Sequence, residues 1–235
     1  MSLFTNKYIA HRGLHNGKFI PENSLLAFKK AIEKNYAIEF DITITKDNQV
    51  VVFHDEDLFR LCNKKEKVEE VEYGFLKKLK LYNRDEDIPL FKEVLELVDE
   101  KIALIIEIKK HQNIGVLENI VLALLEKYKG EYFICSFEKD ILFWLKENRT
   151  NIKRGLIFEY NSKVFEKYHK ALFFYKYYKV KPDFVSLDYR LLNSSIYKFC
   201  KKNSLPIFCW TIDSKELEDK FYNKVDGLIF EKFIP

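Results

Sequence analysis

The 235-residue chain is 47% hydrophobic, 16% aromatic and 32% charged, and its 40 basic against 36 acidic residues leave a formal net charge of +4. This composition excludes collagen-like, wholly disordered and disulfide-built proteins, and so balanced a charge argues against nucleic acid as a partner. At roughly 150 residues per domain the length allows one large domain or two small ones, and with no linker-like stretch we read residues 1–235 as one domain.

The elements follow in chain order. Residues 7–11 read as a strand. Residues 24–35 read as a helix with Leu25, Leu26, Phe28, Ala31 and Ile32 on one side. Strands are expected at 37–45 and 50–54, a helix at 90–100 and a buried strand at 103–109. Beyond that point helices at 114–129, 139–149, 163–179, 193–203 and 214–223 alternate with strands at 132–136, 154–159, 183–188, 206–212 and 226–230. This alternation indicates βαβ units and a parallel sheet. The segment 163–181 interleaves Lys with Phe and Tyr; it reads as an ordinary amphipathic helix, although an anionic membrane surface would also suit it.

The strand count is nine, one too many for an eight-stranded barrel. The second and third strands are too close in sequence for a parallel crossover, so they must form an antiparallel hairpin. With 50–54 as a returning arm, eight parallel strands remain, the number of an α/β fold of the TIM (β/α)8 type. A two-residue turn at Asp47-Asn48 would pair Lys46 with Gln49 and Asp41 with His54. Glu39, Asp41 and His54 would then share one face. After the last strand the chain has no room for an eighth helix.

Cys62, Cys135, Cys200 and Cys209 form no CxxC pair and read as reduced packing residues of a cytoplasmic protein. No apolar run approaches the roughly 18–20 residues of a membrane span. The opening MSLFTNKYIAHRG lacks the apolar region and cleavage site of a secretory signal.

Polar residues gather where strands end. His11-Arg12 follows the first strand, Glu39 and Asp41 close the second, His54-Asp55 lie on the returning arm, and Glu107 and Lys109 end the next strand. In parallel barrels these strand ends form the active-site face. Three converging carboxylates repel unless a cation sits among them, and hard oxygen donors suit Mg²⁺ or Ca²⁺. Arg12 and Lys109 could bind an anionic oxygen, and two histidines could divide proton donation and abstraction. Together these groups suit hydrolysis of a phosphate ester.

The sequence resembles the glycerophosphodiester phosphodiesterase family. The resemblance rests on His11-Arg12-Gly13, Pro21-Glu22-Asn23-Ser24-Leu25, Ile38-Glu39-Phe40-Asp41-Ile42, Val51-Val52-Phe53-His54-Asp55, Leu58 and Arg60, Glu107-Ile108-Lys109, Trp210-Thr211-Ile212 and Val225-Asp226-Gly227. It implies a TIM barrel that hydrolyses glycerophosphodiesters to sn-glycerol 3-phosphate and an alcohol. It implies one divalent cation, Mg²⁺ or Ca²⁺, on Glu39, Asp41 and Glu107, with His11 and His54 as the acid/base pair. Arg12 and Lys109 would contact the phosphate, Glu22 would support the site or contact a metal-bound water, and Trp210 would line the pocket for the glycerol part.

The chain departs from the family pattern in places. Ser24 stands for the common Thr, Asn35 for a helix-ending Gly, Asp213 for a frequent Asn, and Phe230-Glu231 for Thr-Asp. These changes leave the catalytic set intact and bear on substrate preference. Residues 56–87 hold a charge-rich insertion, expected to be a solvated flap near the pocket mouth. His15, His111 and His169 match no catalytic motif, and His15 is the best placed of them to reach a substrate. Two other readings are a lysophospholipase D acting on lysophospholipids and a non-catalytic barrel that binds glycerol phosphates or a protein partner.

Overall fold

A computed structural model describes residues 6–162 and 166–235. The elements in chain order are β1 (Tyr8–His11), α1 (Leu25–Glu33), β2 (Ala37–Ile44), β3 (Val50–Val52), α2 (Phe59–Cys62), α3 (Tyr73–Leu76), α4 (Phe91–Val98), β4 (Leu104–Ile108), α5 (Val116–Leu125), β5 (Tyr132–Ser136), α6 (Lys139–Asn148), β6 (Arg154–Phe158), α7 (Glu166–Val180), β7 (Phe184–Asp188), α8 (Ser195–Lys202), β8 (Ile207–Ile212), α9 (Lys215–Phe221) and β9 (Gly227–Phe230). The hydrogen-bonded strand order is β1-β9-β8-β7-β6-β5-β4-β2-β3, with β1 also paired to β2. With β3 as an appendage of β2, this is the order of a (β/α)8 barrel, as the alternation predicts. Residues 231–235 form no helix. No described helix is long and apolar enough to cross a membrane, and all four cysteines are buried and form no disulfide.

The chain divides into two compact units, residues 10–132 and residues 1–9 with 133–235. In the first, β2 is buried along its whole length. Phe40 meets the helices: its ring lies 5.5 Å from Phe28 of α1 and 6.1 Å from Phe91 of α4. Strand periodicity then sends Glu39, Asp41 and Thr43 to the opposite face. Helix α1 begins where Ser24 Oγ accepts from Ala27 N at 3.1 Å, so the Ser24 hydroxyl caps the helix. The chain leaves α1 through Asn35 at φ 54°, a conformation that Asn tolerates as Gly does.

The hairpin forms, but its register differs by one residue from the expected one. Ile42 pairs with Val52, Thr43 with Val51 and Ile44 with Val50. Thr45 N donates to Gln49 O at 3.0 Å, and the turn is the three-residue loop Lys46-Asp47-Asn48, with Asn48 at φ 59°. The cause is side-chain closure. Thr45 Oγ1 accepts from Gln49 N at 2.9 Å and donates to Asp47 Oδ1 at 2.6 Å. A left-handed third residue is the usual ending of such a loop. Asp41 therefore faces Phe53, whose N–H donates to Asp41 O at 3.0 Å, and His54 lies beyond β3.

The insertion is more than a solvated flap. Its lysines and acids are largely exposed, yet Leu58, Leu61, Val68, Leu76 and Leu81 are buried with Val51 and Phe53 in a satellite core. The charge-rich composition hid these widely spaced leucines.

In the second unit the rings of Phe133, Phe184 and Phe208 meet at 4.8–6.1 Å. Gly155 of β6 lies against them: a Cβ there would come within 2.1 Å of a Phe184 ring carbon. Trp210 of β8 packs edge-on against Phe137 with ring centroids 5.8 Å apart, and its buried Nε1 has no acceptor among the described residues. The expected helix 163–179 is found as α7, its first three residues lying outside the described residues.

Candidate active site

The site is built in residues 10–132. Glu39 and Asp41 alternate onto the same face of β2, and the parallel register sets Asp41 beside Glu107 of β4. One carboxylate oxygen from each of the three lies within 4.8 Å of the others. All three side chains are buried. Such a set of anionic hard donors fits a divalent cation such as Mg²⁺ or Ca²⁺.

The protein's own cations balance part of this charge. Lys109 Nζ donates to Glu107 Oε1 at 2.7 Å and lies 3.4 Å from Asp41 Oδ1. Arg12 Nε lies 3.3 Å from Asp41 Oδ2, and Asn23 Nδ2 donates to the same oxygen at 2.9 Å. Burial alone would push Asp41 up, but Lys109 and Arg12 hold it well below the usual carboxylate range. Glu39 is pushed well above that range by burial and by the charges of Asp41 and Glu107. Glu107 is also raised, again by burial first and Asp41 second. The cluster without a cation therefore carries a repulsion that a bound cation would relieve.

The His11-Arg12-Gly13 segment turns sharply after β1. Arg12 sits at φ 53° and Gly13 at φ 79°. A Cβ on Gly13 would come within 2.9 Å of the Ala27 backbone carbon, so α1 can approach only a glycine. The turn is held by Arg12 N donating to Glu39 Oε2 at 3.2 Å and by Asn23 N donating to Arg12 O at 3.0 Å. Left-handed backbone at a non-glycine residue is costly and is found where surrounding bonds enforce it. His11 Nε2 lies 3.9 Å from Glu39 Oε2.

Glu22 is buried between two guanidinium groups. It accepts from Arg12 Nη1 at 2.6 Å and, with both oxygens, from Arg60 at 2.7 and 2.8 Å. Burial would raise Glu22, but the bonds from Arg60 and the charge of Arg12 lower it. Arg60 also donates from Nε to Asp55 Oδ2 at 2.6 Å. Asp55 in turn lies 2.6 Å from His54 Nδ1 through its other oxygen. A cavity of about 340 Å³ opens beside these groups, lined by Thr43, His54, Asp55, Glu56, Glu69, Lys109, Lys110, His111 and Gln112.

Eight of the nine residues singled out from the sequence thus lie in this unit: His11, Arg12, Glu22, Glu39, Asp41, His54, Glu107 and Lys109. Trp210 belongs to the other unit. Three further residues hold the site together, and the sequence assigns them no role beyond their motifs: Asn23, Asp55 and Arg60. The first two adjoin Glu22 and His54 in sequence, which is a usable signal. Arg60 had none beyond its place in the family pattern, because its partner Glu22 is 38 residues away.

Residues 11–233 match the Glycerophosphoryl diester phosphodiesterase family, and the chain belongs to that family. It is 34% identical over 233 residues, 94% of its own length and 92% of the relative's, to a glycerophosphodiester phosphodiesterase of Caldanaerobacter subterraneus subsp. tengcongensis. Among solved structures, a glycerophosphodiester phosphodiesterase of Thermotoga maritima superposes with a TM-score of 0.77 at 28% identity, covering 97% of this chain and 95% of that one. An Oleispira antarctica phosphodiesterase in complex with its product sn-glycerol-3-phosphate shares the fold, with a TM-score of 0.80 at 20% identity over 96% of this chain and 92% of that one.

Proposed function

We propose that the chain, acting as one domain with one site, hydrolyses glycerophosphodiesters to sn-glycerol 3-phosphate and an alcohol. The observation that carries this reading is the buried Glu39-Asp41-Glu107 cluster, flanked by Arg12, Lys109 and His11, with His54 lining the cavity beside Lys109. The Oleispira relative holds that product.

Glu39, Asp41 and Glu107 would hold one Mg²⁺ or Ca²⁺, which when bound supplies positive charge to a phosphodiester oxygen. Arg12 and Lys109 add fixed cationic donors that favour the charge developing on the phosphoryl oxygens. Glu22 and Arg60 keep the Arg12 guanidinium oriented. Asp55 accepts the Nδ1 proton of His54, which leaves Nε2 to exchange a proton with a reacting oxygen. His11, beside Glu39, carries the complementary proton transfer: one histidine protonates the leaving alkoxide while the other takes a proton from the attacking oxygen, either water directly or the glycerol 2-hydroxyl, whose cyclic phosphate water then opens.

The test is release of glycerol 3-phosphate from glycerophosphocholine and glycerophosphoethanolamine with Mg²⁺, with Ca²⁺ and with excess EDTA. Release with a metal and none with EDTA is expected, with His11→Ala and His54→Ala each lowering kcat at least about 100-fold. Full activity in EDTA would remove the metal from the reading. Turnover of lysophosphatidylcholine in preference to glycerophosphocholine would replace the substrate.

A further inference from the structure

Helix α7 is apolar on both sides. Its inner side buries His169, Phe173 and Val180, and Phe173, Phe174 and Tyr177 meet the Phe199 ring of α8 at 4.8–6.3 Å. Its outer side carries Tyr168, Leu172, Tyr175 and Tyr178, each between 46% and 63% exposed. Residues 168, 172 and 175 recur at helical spacing, and 178 continues the stripe one turn on. A helix that serves only to cover a barrel needs one apolar face; this one has a second.

The charge around that face is mainly positive, with Glu138 and Glu159 acting on Lys176 of α7. Helix α7 carries four lysines and a single acid, Glu166, and α8 carries three lysines and no acid. The acids of neighbouring α6 are already matched, Asp140 by Lys139 at 2.7 Å and Glu147 by Lys146 at 3.2 Å. Several of these lysines lie over rings: Lys167 over Tyr168 at 5.0 Å and Lys179 over Phe143 at 4.5 Å. A second copy docking through the same face would set lysines against lysines, which disfavours self-association. Tyrosine and leucine ringed by lysine instead match the boundary of an anionic bilayer. There the phenol stays wet while the ring enters the interface, and lysines meet lipid phosphates.

We propose that the α7–α8 face docks this protein on an anionic lipid bilayer. This does not depend on the reaction assigned above. The test is co-sedimentation with vesicles of equal parts phosphatidylglycerol and phosphatidylcholine, against vesicles of phosphatidylcholine alone. Binding to the anionic vesicles at low salt is expected, with release in about 1 M salt, where the screening length falls to about 3 Å. The triple variant Leu172→Ser, Tyr175→Ser, Tyr178→Ser should bind about tenfold more weakly or worse. Lys198→Gln and Lys201→Gln should each weaken binding about fivefold. All variants should keep the wild-type circular dichroism and turnover of a water-soluble phosphodiester. The proposal is overturned if the wild type stays in the supernatant with anionic vesicles, or pellets equally with phosphatidylcholine alone. It is also overturned if the folded triple variant binds undiminished, or if the face instead supports a dimer that these substitutions dissociate.

Discussion

Arg60 holds Glu22 with two parallel bonds, Nη1 to Oε2 at 2.7 Å and Nη2 to Oε1 at 2.8 Å, and Glu22 in turn accepts from Arg12 at 2.6 Å. A residue of the insertion thereby orients a guanidinium that also touches Asp41. Lysine cannot reproduce the planar fork. Arg60→Lys should lower kcat/KM about tenfold. Because Arg60 is partly exposed, its global stability should change by no more than about 1 kcal/mol. Steady-state kinetics beside urea denaturation check this, and wild-type kinetics would detach Arg60 from the site.

Asp55 bridges His54 and Arg60: Oδ1 contacts His54 Nδ1 and accepts from Arg60 Nη2, and Oδ2 accepts from Arg60 Nε. Burial would raise it, but the bonds from His54 and Arg60 hold it well below the usual carboxylate range. Asp55→Asn keeps the size and removes the charge that fixes the Nδ1–H tautomer of His54. The expected loss is about 100-fold or more in kcat with KM little changed. A loss confined to KM would mean that Asp55 acts on binding, not on the histidine.

Glu39 sits in the repulsive part of the carboxylate cluster, raised by burial, Asp41 and Glu107. Glu39→Gln should therefore raise the thermal midpoint in EDTA while abolishing metal-dependent turnover, the trade expected where function is built on unfavourable contacts. Adding Mg²⁺ or Ca²⁺ should raise the wild-type midpoint through linkage and leave that of the variant nearly unmoved. A lower midpoint for Glu39→Gln in EDTA would contradict the repulsion.

His111 carries a pH dependence of its own. Its Nδ1 lies 3.0 Å from Lys109 O and its Nε2 3.2 Å from Glu118 Oε1. Both neighbours favour the protonated form of the buried ring. Burial opposes this, but the bonds to Glu118 and Lys109 O prevail, and the His111 pKa is raised, with Glu69 adding to the effect. Glu118 also caps α5 by accepting from Gly115 N at 2.6 Å. A raised histidine stabilises the fold fully below its unfolded value of about 6.5 and loses that contribution as pH rises through the folded value. Urea midpoints should therefore fall from pH 6 toward pH 9. His111→Asn should cost about 3 kcal/mol at pH 6 and flatten that fall; parallel profiles for the two proteins would exclude His111 as the titrating group.

The hairpin marks where reading from sequence stopped working. Its existence followed from the short gap between two strand-like runs. Its register did not, because the Thr45 hydroxyl closes a three-residue loop that backbone propensity at Asp47-Asn48 does not reveal. His54 lies past the ladder, where strand alternation no longer dictates its side, and it lines the cavity together with Lys109. The satellite core of the insertion was missed for a related reason: its leucines follow neither a helical nor a strand period, and they are buried only because Val51 and Phe53 receive them.

The sequence by itself determined the order of strands and helices, the cap at Ser24, the left-handed exit at Asn35 and the polar residues at the strand ends. Each of these is set by periodicity or by backbone preference within a few residues. Only the tertiary structure decided that Asp41 lies beside Glu107, that Arg60 holds Glu22 from 38 residues away and that α7 keeps a second apolar face. Those relationships join residues far apart in the chain, and their energies come from packing and charge compensation that no local pattern encodes.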